Sequence, residues 1–385
     1  MKVSAITFLD GNNYGCSLQG FATQEKILEL GCEFEFLRYS HRNSRGFKHL
    51  AAWGKNNPVK MAALFPSYLR QARVFEKFMN RYLRLSDGYY QSEADFAGYE
   101  PDADIYCTGS DQVWNGGLTG GVETPFYLSF LPPGVRRISF AASFGKERLT
   151  DAEVDQTKRF IGQYERISVR EDSGVAILKE QYGYRDAVQI ADPTLTLPPK
   201  FWRARAPENR LKQPYILVYC LHKNPEFENY ISELSKKTGI RLVRLCTRYD
   251  QAFWQGESVI IPEVFEFITL IDNAAYVVTD SFHGTTYSMA LNTQPICVFL
   301  GHYSERLASF LRLTESEHRR IKDFQDFGVL DRPVDFTRVN AILERERGKA
   351  DEFLRSILNP RPITFTVGAR TARPRTANGR PYGGI

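Results

Sequence analysis

Apolar and polar positions along this chain repeat with two spacings, a period of two and one of about 3.6 residues. Residues 2–8, KVSAITF, form a nearly continuous apolar run, as a strand buried on both faces requires. A turn-rich stretch, DGNNYG, follows at 10–15. In CSLQGFATQEKILELG, 16–31, Leu18, Phe21, Ala22, Ile27, Leu28 and Leu30 recur at helical spacing, and Gly31 can take the left-handed cap that ends a helix. EFEFLRY, 33–39, alternates like a strand. This β-loop-α-β opening predicts a doubly wound sheet.

The alternation continues. Residues 47–90 read as helical and basic, with Tyr, Phe and Leu interleaved. ADIYCTGSDQVWN (103–115) and RRISFAASFG (136–145) each read as a strand running into a polar loop. Helix 150–165, strand 166–171, helix 172–183 and strand 187–197 complete the first half. Residues 198–214, PPKFWRARAPENRLKQP, have no periodicity and read as a linker. Strands and helices then alternate again from YILVYCLH (215–222) to PICVFL (295–300), and VNAILERERGKADEFLRSIL (339–358) forms a last helix. The predicted class is α/β, with two Rossmann-like doubly wound domains facing across a cleft. Residues 1–197 form the first, 198–214 the linker, 215–359 the second, and 360–385 a disordered basic tail. A single core stops growing near ~250–300 residues, so two domains also suit the length of 385.

Composition adds limits. Aromatics make up 13 % of the chain, which suits either a large core or a sugar-facing cleft. The six cysteines (16, 32, 107, 220, 246, 297) are scattered singly, with no C-x-x-C pair, so neither a zinc site nor a disulfide framework is expected. The net charge of +5 resides in five arginines beyond Pro360; residues 1–359 carry 45 basic and 45 acidic side chains. Nucleic-acid binding is therefore not expected. The apolar run after Met1 is short for a signal sequence, and no stretch approaches the ~18 apolar residues of a membrane span. A cytoplasmic protein is expected. The arginine tail and the basic helix 60–84 could bring it to the inner face of the membrane.

Polar clusters close several strands where a turn would do. They are Asn13, Tyr14 and Gly15; Ser110, Asp111 and Trp114; Arg170 and Glu171; and Asp280, Ser281, Phe282, His283 and Gly284. A doubly wound fold brings such loops to one rim. Turn chemistry, helix capping and ordinary surface pairing are the plainer readings of the first three. The helix opening with Gly284, Thr285 and Thr286 presents free N–H groups that attract an anion by ~0.3–1 kcal/mol, up to ~2 when partly buried. Ser281, Gly284 and Thr285 are accordingly candidate anion-binding residues. No G-x-G-x-x-G follows the first strand, so a dinucleotide role has little support.

Six motifs in order, NYGCSLQGFA, GSDQVWN, AASFG, SVRED, ADPTL and DNAAYVVTDSFHGTTYSMA, resemble those of the polysaccharide pyruvyl transferase family. The resemblance covers roughly residues 3–315. It implies a fold similar to the two-domain GT-B glycosyltransferases and transfer of the pyruvyl group of phosphoenolpyruvate onto two sugar hydroxyls, forming a cyclic ketal. The family histidine corresponds to His283 and its donor-binding arginine to Arg170. One departure stands out: better-characterised members carry Ser-Arg-Phe-His, whereas this chain has Asp280-Ser281-Phe282-His283. Arg306, just past the next strand, is the candidate for the missing charge.

On this reading His283, the one histidine in a site-like context, is the acid–base catalyst, worth ~10²–10⁴-fold. Asp111 is the base for a sugar hydroxyl, and Asn13, Tyr14, Ser110 and Trp114 face the acceptor, with Tyr14 or Trp114 stacking on the sugar. No cofactor or metal is expected; phosphoenolpyruvate is a co-substrate, and the acceptor is a sugar or lipid-linked oligosaccharide of a surface polysaccharide. The rival readings are a GT-B-like glycosyltransferase using a nucleotide sugar and a non-catalytic partner in glycan assembly. Oligomeric state stays open.

Overall fold

The computed structural model describes residues 1–358 except 11, 44–47, 223 and 300–304, so the tail assigned to 360–385 lies outside the described residues. The first domain runs β1 (Lys2–Ile6), α1 (Tyr14–Glu29), β2 (Glu33–Tyr39), α2 (Lys48–Gly54), α3 (Pro58–Tyr82), β3 (Leu85–Tyr90), β4 (Ile105–Thr108), α4 (Gly116–Thr119), β5 (Arg137–Ala142), α5 (Asp151–Ile161), β6 (Arg166–Val169), α6 (Asp172–Gln181), β7 (Val188–Gln189) and α7 (Pro193–Thr196). Its strands make one parallel sheet in the order β3-β2-β1-β4-β5-β6-β7.

After α8 (Pro199–Arg203) come β8 (Tyr215–Tyr219), α9 (Pro225–Thr238), β9 (Arg241–Cys246), β10 (Glu257–Ile260), α10 (Val264–Asp272), β11 (Tyr276–Thr279), α11 (Phe282–Ala290), β12 (Gln294–Cys297), α12 (Glu305–Leu313) and α13 (Phe336–Leu358). The second sheet is also parallel, in the order β10-β9-β8-β11-β12. Strand order reverses between β1 and β4 in one sheet and between β8 and β11 in the other. Open parallel sheets bind ligands at such switch points, beyond the carboxyl ends of the strands.

β4, β5 and β8 are buried along their whole length, which explains their apolar runs. The edge strands β3 and β10 are only half covered, and their sequences, LSDGYY and ESVI, lack that signal. Residues 85–90, expected at the end of a basic helix, form β3, and α3 stops at Tyr82.

The linker and the domain boundary also need correction. Residues 199–203 of the presumed linker form α8, whose Trp202 is fully buried, donates from its indole to the Thr194 carbonyl at 3.0 Å and meets Tyr287 edge-on. The last helix, α13, does not stay with the second domain. Its Asp351 pairs with Lys26 of α1 at 2.5 Å, and Phe353 lies under Arg166 of β6.

α1 is the wedge between the domains. Nearly every residue from Tyr14 to Ile27 is buried, including Gln19, Gln24 and Lys26. A helix covered on all sides needs partners for its polar groups. Gln19 donates to Thr7 at 3.2 Å and Gln24 to the Tyr82 carbonyl at 2.8 Å. Tyr14, at its first turn, stacks on Phe267 of the second domain at 5.1 Å and donates to the Pro262 carbonyl at 2.9 Å. Replacing Tyr14 by Ala is expected to cost about 3–5 kcal/mol and by Phe about 1–3 kcal/mol, measured by urea unfolding. A loss below that range for Tyr14→Ala would mean that the ring does not hold the two domains together.

Candidate active site

The four loops at the two switch points meet around one cavity of about 290 Å³. Asn13 and Cys16 come from the start of α1, and Asp111 and Gln112 follow β4. Leu221 and His222 follow β8, and Asp280 to His283 follow β11. Arg306 enters from the first turn of α12.

His283 reaches across from the second domain and lies against α1. A Cβ on Gly15 would stand 1.9 Å from its Nδ1, so the imidazole occupies the volume of any side chain at that position. Its Nε2 faces Oδ2 of Asp192 at 3.5 Å. Asp192 is the N-cap of α7: its Oδ1 accepts from the Thr194 backbone N–H at 2.9 Å and from the Thr194 hydroxyl at 2.7 Å. Its Oδ2 also faces Arg170 Nη1 at 3.1 Å. Burial alone would raise the Asp192 pKa, but Arg170 and His283 together hold it well below the usual carboxylate range.

Arg170 carries the network onward. It donates to Ser110 Oγ at 2.8 Å and lies 3.5 Å from Asp111 Oδ1. Asp111 has φ of +71°, a region seldom used by residues other than glycine. Its carboxylate accepts from the Gln112 backbone N–H at 2.8 Å and from the Cys16 thiol at 3.1 Å, and Arg306 Nη1 stands 3.4 Å away. Burial again opposes its charge, and Arg170 and Arg306 outweigh burial, so the Asp111 pKa is lowered. Both guanidiniums lie near the Phe282 ring, at 5.1 Å for Arg170 and 5.2 Å for Arg306. Neighbouring Glu171 is buried and accepts from Ser143 Oγ at 2.5 Å; there burial wins over the pull of Arg170, and its pKa is raised.

A second histidine stands at the cavity mouth. His222 Nδ1 is 2.7 Å from Asp280 Oδ2, and Asp280 also accepts from the backbone N–H groups of Leu221 at 2.7 Å and His222 at 3.1 Å. The imidazole is 55 % exposed, and the Asp280 hydrogen bond raises its pKa. With Nδ1–H held by the carboxylate, Nε2 is left to exchange a proton.

Measured against the sequence reading, His283, Asp111, Arg306, Asn13 and Ser281 line the cavity. Arg170 lies beneath it, so it cannot act as an open clamp; its guanidinium already faces two carboxylates. Ser110 is fully buried, donating to the Ala141 carbonyl and accepting from Arg170, and does not face an acceptor. Tyr14 packs in the domain interface. Trp114 is 2 % exposed, stacked on Tyr127 and bonded to the Phe126 carbonyl at 3.1 Å, so it serves the core and no sugar platform. Thr285 points inward toward Cys297. Gly284 is required by protein rather than ligand: a Cβ there would stand 2.6 Å from Thr279 Oγ1.

Asp192 and His222 carry no sequence expectation as site residues, and Asp280 is expected at the rim without a role. His222 was discoverable, since it follows β8 at the same rim as His283. Among the described residues no group of three or more His, Cys, Asp and Glu side chains is placed to hold a metal ion, and no helix is long and apolar enough to cross a membrane.

Comparison with known proteins places this geometry. A UDP-GlcNAc 2-epimerase from Neisseria meningitidis, solved with UDP-GlcNAc, superposes with a TM-score of 0.52 at 10 % identity, covering 94 % of this chain and all of its own. A putative UDP-N-acetylglucosamine 2-epimerase from Listeria monocytogenes gives 0.53 at 9 % identity, over 93 % of this chain and 96 % of its own. Staphylococcus aureus MnaA, solved with UDP, gives 0.50 at 11 %, over 93 % and 97 %. At such identities the likeness is one of fold, the two-domain GT-B-like architecture. No curated protein sequence matches. The profile of the polysaccharide pyruvyl transferases matches residues 13–298, a span that holds His222, Asp280 and His283 as well as Asp111, Arg170 and Asp192. By this match over most of its length, the chain belongs to the polysaccharide pyruvyl transferase family.

Proposed function

We propose that this protein transfers the pyruvyl group of phosphoenolpyruvate onto two hydroxyls of a sugar in a surface polysaccharide or its lipid-linked precursor. The observation that carries the reading is the convergence of Arg306, His283 and His222 on one cavity of about 290 Å³ between the two switch points. In the reaction the methylene carbon of the enol takes up a proton and a sugar oxygen bonds to its neighbour. The carbon–oxygen bond to phosphate then breaks, and the second hydroxyl closes the ketal. Of the two hydroxyl protons released, one ends on the new methyl group and the other on phosphate.

Charge assigns the roles. Arg170 and Arg306 are matched by Asp192 and Asp111, so a donor bearing phosphate and carboxylate gains little from them alone. The His222 imidazole must supply the difference by taking up a proton, with Arg306 gripping the donor beside the first turn of α11. His222 is the proton donor and acceptor that solvent can recharge. Asp192 holds His283 against Gly15. Arg170 is a positioning residue, acting through Asp111 on Arg306 and through Asp192 on His283.

The nucleotide-sugar alternative draws on the UDP-bound neighbours, which share only the fold. Thermal shift separates the two: phosphoenolpyruvate is expected to raise the melting temperature and UDP-GlcNAc to leave it unchanged, and the reverse result favours nucleotide-sugar chemistry. With the correct acceptor, folded His283→Ala is expected to lose about 10²–10⁴-fold in phosphate release. Near-normal turnover would remove His283 from the mechanism, and donor binding without any turnover by the native chain would favour a non-catalytic partner. Donor binding is also expected to take up protons, so affinity weakens as pH rises above about 7, read by calorimetry in buffers of different ionisation enthalpy. Affinity that does not vary with pH would contradict the charge assignment.

Asp280→Asn is expected to return the His222 pKa toward about 6.5, followed by NMR titration of the imidazole. The sign follows from the raised native value: the stabilisation it brings is complete below about pH 6.5 and fades as pH climbs through that value. An unmoved titration would show that Asp280 does not control His222.

A further inference from the structure

Residues 48–84, spanning α2 and α3, carry eight lysines and arginines against one acid, Glu76, in a chain whose residues 1–359 are balanced overall. The N-terminal half of α3 is also unusually apolar outside. Val59, Ala62, Pro66 and Leu69 are all exposed, and their spacing of three, four and three residues puts them on one stripe. Val59 is 78 % and Leu69 50 % exposed. The 3-10 turn Tyr249–Phe253 docks on this helix: Tyr249 N–H donates to Ser67 Oγ at 2.9 Å, and Gln71 donates to the Thr247 carbonyl at 2.6 Å. Ser67 and Gln71 lie on the opposite side of the helix from the stripe, so this turn leaves the stripe exposed. Single exposed apolar residues are common, but a helical stripe of them framed by lysines and arginines is the makeup of a segment that lies in a membrane interface.

Topology turns this surface toward the active site. α3 feeds β3, which is parallel to its neighbours, so the helix runs antiparallel to the strands. Its N-terminal half therefore sits at the carboxyl rim of the sheet, the edge on which the cavity opens.

We propose that this surface binds an anionic lipid bilayer, with Val59, Pro66 and Leu69 entering its headgroup layer and Lys55, Lys60 and Arg73 meeting lipid phosphates. Charge selects this occupant. A second copy would bring the same positive face, and the chain beyond Pro360 brings five arginines and no acid. The consequence, that the acceptor is presented from the membrane, rests on the pyruvyl-transfer reading; lipid binding itself does not.

The test is flotation of the full chain with vesicles, with neither donor nor acceptor present, so its outcome is separate from that of the catalytic assays. Binding is expected to vesicles of phosphatidylcholine and phosphatidylglycerol in equal amounts, to weaken with salt, and to be absent with phosphatidylcholine alone. Lys55→Gln, Lys60→Gln and Arg73→Gln together are expected to weaken binding on the order of a hundredfold. Val59→Ser and Leu69→Ser together should abolish flotation while the circular dichroism spectrum is kept. Changing all five tail arginines to Gln should leave binding in place. The proposal is overturned if the native chain does not float, or if either the triple glutamine variant or the serine variant floats like the native chain. It is also overturned if the tail variant alone abolishes binding, or if the serine variant instead converts a dimer to a monomer in sedimentation.

Discussion

One carboxylate holds the active site together. Asp192 faces Arg170 of the first domain and His283 of the second through the same oxygen, in a place closed to water. Burying ions is costly, and removing one partner of such a set leaves an uncompensated charge inside the protein. The three groups are therefore mutually obligatory. They come from the loop after β6, the N-cap of α7 and the first turn of α11, so their pairing ties the two domains together beside the cavity.

Gly15 and Tyr14 make that approach possible. The ring of His283 fills the space a side chain would take at Gly15, while Tyr14 stacks on Phe267 beside it. Adjacent residues in α1 thus do opposite things: one vacates room for the imidazole, the other fills the interface. From Asp192 the polar network passes through Arg170 to Asp111 and Arg306, so the arginine that lines the cavity is oriented by one that does not. The position that holds arginine in Ser-Arg-Phe-His is here Ser281, the cap of α11, and the cationic group at the cavity arrives from α12 instead.

The two histidines are held differently, which suits them to different work. His283 is enclosed by Gly15 and Asp192. His222 is tethered on one nitrogen by Asp280 and meets solvent on the rest of its ring. Both lie after strands that flank the switch point of the second sheet, so the same topological rule placed them.

Much of this was legible in the residue order. The apolar runs of KVSAI, IYCT and YILVY require burial on both faces, and with helices between them only a parallel doubly wound sheet provides it. The edge strands β3 and β10 escaped because one covered side leaves no such pattern. Ordered motifs marked the rim, His283 among them, and the arginine missing beside it directed attention to Arg306. What sequence alone could not separate was polar residues facing the cavity from those facing the interior, since adjacent positions in a strand-end loop point in different directions. Ser110 and Asp111 illustrate it: one is sealed under Arg170, the other lines the cavity. Trp114 and Tyr14 looked like sugar platforms because aromatic side chains serve cores and ligands equally well. Asp192 and His222 gained their roles only when the chain brought them beside partners 22 to 91 positions away, Arg170 and His283 for one and Asp280 for the other. Local pattern decided the layers; the long-range pairing of charges that cannot be buried alone decided the site.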